Sequence, residues 1–203
     1  EIGCVVAASP YYPNTPNPKD ILKAQRMNEL QYFYSDVQAR GYVPELIRKI
    51  WKKRNYHLDI TDEDLDILAK GTVDYIGVTY YLTSTVSADT DLKKVGSGNA
   101  AGNDTVENKY LKRSEWGWTI DPEGLRYYLN EMYSRYHLPI FIVENGIGAI
   151  DKLTKDHKIH DEYRISYLRD HICQMEKAIE DDGVDVIGYD VWSPIDLVSF
   201  TTG

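Results

Sequence analysis

Residues 139–149 read PIFIVENGIGA. Four apolar residues, Ile140 to Val143, run unbroken into a carboxylate, Glu144, and the chain then turns through Asn145, Gly146 and Gly148. A short continuous apolar run fits a strand buried on both faces, as in a parallel sheet covered by helices. A carboxylate at the end of such a strand has two readings. It is a structural acceptor that orients the turn, or it is a group that does chemistry on a rigid base.

Working outward, three more segments have the same character: IGCVVAAS (2–9), VDYIGVTYYL (73–82) and VDVIGYDVW (184–192). Helical patterns lie between them. KDILKAQRMNELQYFYSDVQA (19–39) reads as one helix, VPELIRKIWKKR (43–54) as another, and TDEDLDIL (61–68) starts with Thr61 and Asp64 in capping-box spacing. In DPEGLRYYLNEMYSRYH (121–137), Asp121 is the cap and Pro122 takes the first helical position. Leu125, Leu129, Met132 and Tyr136 share one face of that helix. DEYRISYLRDHICQMEKAIEDDG (161–183) predicts a last helix with a buried stripe of Ile165, Leu168, Ile172, Met175 and Ile179. PYYPNTPNP (10–18) reads as a rigid loop and 83–113 as an excursion loop. Strands alternating with helices give an α/β chain with parallel pairing. A doubly wound open sheet and part of an eight-stranded barrel both satisfy this order.

Composition narrows the function. At 203 residues with 42% hydrophobic residues, the chain can bury the core of one globular domain. A net charge of −9 argues against a general nucleic-acid binder, whose phosphate contacts need a basic face. No apolar run is long enough to cross a membrane. Cys4 and Cys173 have neither metal nor redox spacing. His157 and His160 stand three apart in HKIH without an evident third ligand, so no metal is expected. The glycine-rich GSGNAAGND has no strand-to-helix setting and no phosphate-binding lysine, so no nucleotide cofactor is expected either. The chain opens on EIGCVVA without a methionine and stops on TTG, which suggests one piece of a longer protein.

Polar and aromatic side chains gather at the same ends of successive strands: Thr79, Tyr80 and Tyr81; then Glu144 and Asn145; then Trp192, Ser193 and Asp196. Here the sequence resembles glycoside hydrolase family 1, and within it the bacterial 6-phospho-β-glucosidases. FIVENG resembles the nucleophile motif. SEWGWTIDPEGLRYYLNEMYSRYHLPIFIVENGIGA, DEYRISYLRDHICQMEKAIEDDGVDVIGYDVWSPIDLVS, AASPYYPNTPNPKDILKAQR and FYSDVQARGYVPELIRK follow the same pattern, so the resemblance spans essentially residues 1–203.

The resemblance implies a TIM (β/α)8 barrel, of which this chain supplies strands five to eight as the C-terminal part of a single domain. The family's general acid/base glutamate, in an Asn-Glu-Pro motif, would precede residue 1, so the isolated chain is expected to be a poor hydrolase. Glu144 resembles the retaining nucleophile, and Tyr81 the tyrosine that donates to it and orients it. Tyr80 is expected to face the core. Trp192 resembles the aromatic floor under the sugar, and Trp118 the wall of the leaving-group side, with Trp116 beside it. Ser199, in WSPIDLVSF, stands where ordinary β-glucosidases carry a glutamate for the outer sugar hydroxyls. A small hydroxyl there leaves room for a 6-phosphate and removes like-charge repulsion. The family's further phosphate ligands, a lysine and a tyrosine, would follow Gly203. Phe200 differs from the common neighbours of that serine, which leaves glucose and galactose both open. The implied activity is retaining hydrolysis of 6-phospho-β-D-glucosides to glucose 6-phosphate and aglycone, in the cytoplasm, without cofactor, nucleic-acid or membrane partner, and compatible with a homo-oligomer. The alternatives are an unphosphorylated β-glycosidase and a noncatalytic carbohydrate-binding fragment.

Overall fold

The computed structural model describes residues 1–7, 9–96, 104–193 and 195. Four strands, β1 (Gly3–Ala7), β3 (Tyr75–Tyr80), β7 (Ile140–Asn145) and β8 (Val186–Tyr189), form a parallel sheet in the order β1-β3-β7-β8. Two small pairs stand outside it: β2 (Tyr11–Pro13) with β4 (Ser84–Val86), and β5 (Lys112–Arg113) with β6 (Thr119–Ile120). The helices are α1 (Pro18–Gln31), α2 (Phe33–Arg40), α3 (Glu45–Lys53), α4 (Asp62–Lys70), α5 (Pro122–Tyr136) and α6 (Glu162–Glu180).

One face of the sheet is covered by helices. Ile76, Val78 and Tyr80 of β3 and Ile140 and Ile142 of β7 are fully buried there against Leu125, Tyr128, Leu129 and Met132 of α5 and Ala178 of α6. The helix starts follow the sequence. Asp121 Oδ1 accepts from the Gly124 N–H at 3.0 Å, and Thr61 and Asp64 form a complete capping box. The opposite face is open on the outer strands, where Val5 and Ile187 are exposed.

Several local expectations change. The helix expected over 19–39 breaks at Tyr32, whose ring is buried between α1 and α2 and stacks on Tyr128. Tyr11–Pro13 is a strand, not only a loop. The Asn28 side-chain amide caps its edge by accepting from the Tyr11 N–H at 2.8 Å and donating to the Tyr11 carbonyl at 3.1 Å. The excursion 83–113 contains β4 and β5 and is pinned to α1, because Asp104 bridges Lys23 at 2.6 Å and Lys94 at 2.8 Å. In α6 the buried residues are Tyr167, His171, Gln174 and Ala178, while Ile165 is 52% exposed. The buried line is thus one residue out of phase with Leu168, Ile172, Met175 and Ile179, a rotation of about 100° on a helix of 3.6 residues per turn. Tyr167 faces the sheet because its hydroxyl bonds the Asn145 side chain and the Tyr81 carbonyl, and His171 packs its ring beside it against Tyr80.

Candidate active site

The position of Glu144 depends on an irregularity in β7. Ile76 pairs with Ile140 and Val78 with Ile142, but Thr79 pairs with Glu144, so Val143 is an extra residue. By simple alternation Glu144 would follow Ile140 and Ile142 into the helix layer. The bulge reverses the alternation, and Glu144 emerges on the same face as Thr79. Asn145, opposite Tyr80, is turned inward and is fully buried.

Tyr81 follows the last residue of β3, and its hydroxyl donates to Glu144 Oε2 at 2.6 Å. That length fits an O–H donor to a charged acceptor. Burial, then the hydrogen bond and charge of Glu144, hold the Tyr81 phenol far above its ordinary value, so it keeps its proton and acts as donor. Tyr80 serves the scaffold: it is fully buried and donates to the Asp121 carbonyl at 2.6 Å.

The aromatic residues arrive on three loops. Trp118 stands edge-on to Tyr81 with ring centroids 5.5 Å apart, and Trp116 is edge-on to Trp118 at the same distance. The indole N–H of Trp118 is buried with no acceptor among the described residues. Gly117, between them, has φ +79°, a backbone conformation that glycine adopts at no steric cost. The Glu115 carboxylate accepts from the Ile150 N–H at 2.9 Å and ties this turn to the loop after β7. In that loop Gly148 lets Trp116 approach, since a Cβ there would lie 2.2 Å from the indole. Trp192 is 51% exposed, and its backbone N–H donates to the Asn145 backbone carbonyl at 2.9 Å. Ser199 and Phe200 lie outside the described residues.

Glu144 and its Tyr81 donor thus stand at the carboxyl edge of a parallel sheet, with Trp118 and Trp116 packed beyond Tyr81 and Trp192 following β8. The family model for glycosyl hydrolase family 1 matches residues 1–203. The chain belongs to that family. An aryl-phospho-β-D-glucosidase of Bacillus subtilis is 48% identical over 204 residues, covering 100% of this chain and 43% of the relative. A 6-phospho-β-glucosidase of Clostridium longisporum is 46% identical over 206 residues, again covering 100% of this chain and 43% of the relative. Among solved structures, a family 1 β-glucosidase from Thermotoga maritima aligns with a TM-score of 0.78 at 30% identity, over 95% of this chain and 41% of that one. The chain therefore spans less than half the length of these family members, and its four-stranded sheet is a partial (β/α)8 barrel. No helix among the described residues is long and apolar enough to cross a membrane.

Sequence reasoning missed the layer beneath Glu144. Asn145 Nδ2 donates to the Tyr80 carbonyl at 2.7 Å and to the Tyr167 hydroxyl at 3.2 Å, and Asn145 Oδ1 accepts from the Tyr189 hydroxyl at 2.7 Å. The one available signal was Tyr167 and His171, polar residues four apart on a single helix face.

Proposed function

We propose that this chain forms the C-terminal part of a single (β/α)8 domain that hydrolyses 6-phospho-β-glucosides with retention, with Glu144 as nucleophile. The observation that carries the reading is the 2.6 Å bond from Tyr81 to Glu144 at the carboxyl edge of the sheet, where active sites of such barrels lie. Relatives with phospho-β-glucosidase names at 46–48% identity support the phosphorylated substrate class.

Glu144 attacks the anomeric carbon, and a C–O bond forms as the bond to the aglycone oxygen breaks with its electron pair. That oxygen takes a proton from a second carboxylic acid, which the family resemblance puts after the fourth barrel strand, ahead of residue 1. Water, giving its proton to the same group, then releases glucose 6-phosphate from the glycosyl-enzyme and regenerates the Glu144 carboxylate. Retention requires the two carboxyl groups about 5–5.5 Å apart, too close for water to attack between them directly. Tyr81 orients the nucleophile, Trp118 and Trp116 wall the leaving-group side, and Trp192 offers an apolar face to the pyranose ring. Ser199 leaves space for the 6-phosphate and donates to it. A cytoplasmic setting follows from the substrate class, because phosphorylated glucosides arise when sugars are imported.

The test is covalent trapping in the complete protein with a slow mechanism-based 6-phosphorylated β-glucoside. Peptide mass analysis is expected to find the sugar on Glu144, and Glu144→Gln is expected to abolish the adduct. Attachment to any other carboxylate refutes the assignment.

A further inference from the structure

We propose that Tyr167 is a positioning residue for the reaction, bridging the turn after β3 to Asn145 of β7 and so setting the hydrogen bond from Tyr81 to Glu144. The proposal rests on the hydrolase reading above.

The backbone ladder between β3 and β7 ends at the pair Tyr80 and Asn145. Tyr81, which carries the donor to Glu144, therefore lies one residue past the last register pair. Side chains continue the connection. Asn145 Nδ2 donates to the Tyr80 carbonyl at 2.7 Å, and the Tyr167 hydroxyl donates to the Tyr81 carbonyl at 3.1 Å. Because that hydroxyl also accepts from Asn145 at 3.2 Å, both its donor and an acceptor site are used across the two strand ends. Asn145 spends both amide hydrogens and its carbonyl oxygen on Tyr80, Tyr167 and Tyr189. A fully buried amide with both hydrogens and its oxygen bonded has one orientation, and it passes that orientation on.

The Tyr167 ring is itself fixed. It stacks on His171 with centroids 3.8 Å apart and planes at 27°, and both side chains are buried. The Tyr167 carbonyl can only accept, so its 2.7 Å contact with His171 Nδ1 places the imidazole proton on Nδ1. Packing alone would be served equally by phenylalanine. The hydroxyl adds only the link between Tyr81 and Asn145, and that link has no evident purpose except to hold the residue that touches Glu144.

Tyr167→Phe keeps the ring and its stack while leaving the Tyr81 carbonyl and one Asn145 hydrogen unpartnered. In the complete protein it is expected to lower the glycosylation rate constant about tenfold, the equivalent of roughly one net hydrogen bond, with little change in substrate dissociation constant. In a Tyr81→Phe background the same change is expected to cost less than about twofold, because the bond it positions is already gone. An equal factor in both backgrounds overturns the proposal. A second readout does not depend on turnover: 3-fluorotyrosine at position 81, followed by 19F NMR. Its resonance is expected to shift on Glu144→Gln, and that shift is expected to be lost when Tyr167→Phe is also present. If no carboxylate is labelled and no substrate turns over, the hydrolase reading fails. The fluorine response then decides the positioning claim alone, and an undiminished shift in the Tyr167→Phe background refutes it.

Discussion

Lowering the pH should loosen the layer beneath Glu144 through one residue, His171. Its side chain is fully buried on α6 between Tyr167 and Tyr80, and burial pushes it down to about 4 from the ordinary 6.5. The Tyr167 carbonyl and the charges of Asp170 and Glu123 pull the other way but do not offset burial. The unfolded chain takes up the proton first, near pH 6.5, so stability is complete above that value and falls as pH drops towards 4. At about 1.4 kcal/mol for each tenfold change in proton affinity, the loss at pH 4.5 is roughly 2.5 kcal/mol. Carboxylates with lowered values also contribute on acidification, but mostly nearer pH 4 and below. A variant separates the two: His171→Phe keeps a ring in the stack and cannot be protonated. The difference in urea unfolding free energy between wild type and His171→Phe should shift by about 2 to 3 kcal/mol against wild type between pH 7.5 and pH 4.5. A difference that stays constant to within about 0.5 kcal/mol would show that His171 is not held neutral by burial, and the reasoning would fail.

Two further outcomes follow from charge placement. Ser199→Glu in the complete protein should cut kcat/KM at least about tenfold more for a 6-phosphorylated aryl β-glucoside than for its neutral counterpart, because a carboxylate beside a phosphate is repulsive by several kcal/mol at short range; equal losses would point to the unphosphorylated alternative. Arg135 joins both nitrogens of one fork edge to buried Asp36 at 2.7 and 2.8 Å and also grips Glu29. Arg135→Met should destabilise by about 2 to 3 kcal/mol in urea unfolding, somewhat below the usual cost of breaking a buried pair because the Tyr136 hydroxyl still donates to Asp36 at 3.1 Å. A loss below about 1 kcal/mol would mean that Asp36 finds other solvation.

What the sequence made legible depended on how local the cause was. The four sheet strands and the caps at Asp121 and Thr61 are set by neighbouring residues, and apolar runs and capping oxygens announce them. The phase of α6 was not local. Its isoleucines and leucine mark a line that is only half-buried, whereas Tyr167 and His171 face the sheet to meet partners from β3 and β7. The break at Tyr32 was hidden for the same reason, since the ring is taken up by Tyr128 from a distant helix. Glu144 and Tyr81 could be named from resemblance, but not why the carboxylate reaches the open face. Period-two counting from Ile140 sends it to the helices, and only the extra residue at Val143, visible in the pairing with β3, sends it back. Asn145 read as part of a turn, although it is the most fully bonded side chain at the site.

The strand order β1-β3-β7-β8 is also the order of synthesis. Each of these four strands leaves the ribosome when its predecessor in the sheet is already present, and none of them must insert between two others of the four. At roughly 5–20 residues per second the wait between partners is only seconds. A nascent chain can therefore extend this sheet one edge at a time, from β1 through β3 and β7 to β8. Translation speed through the linking helices then sets how long each unpaired edge stays available to strangers. Slowing codons placed within α5 or α6 would lengthen that exposure.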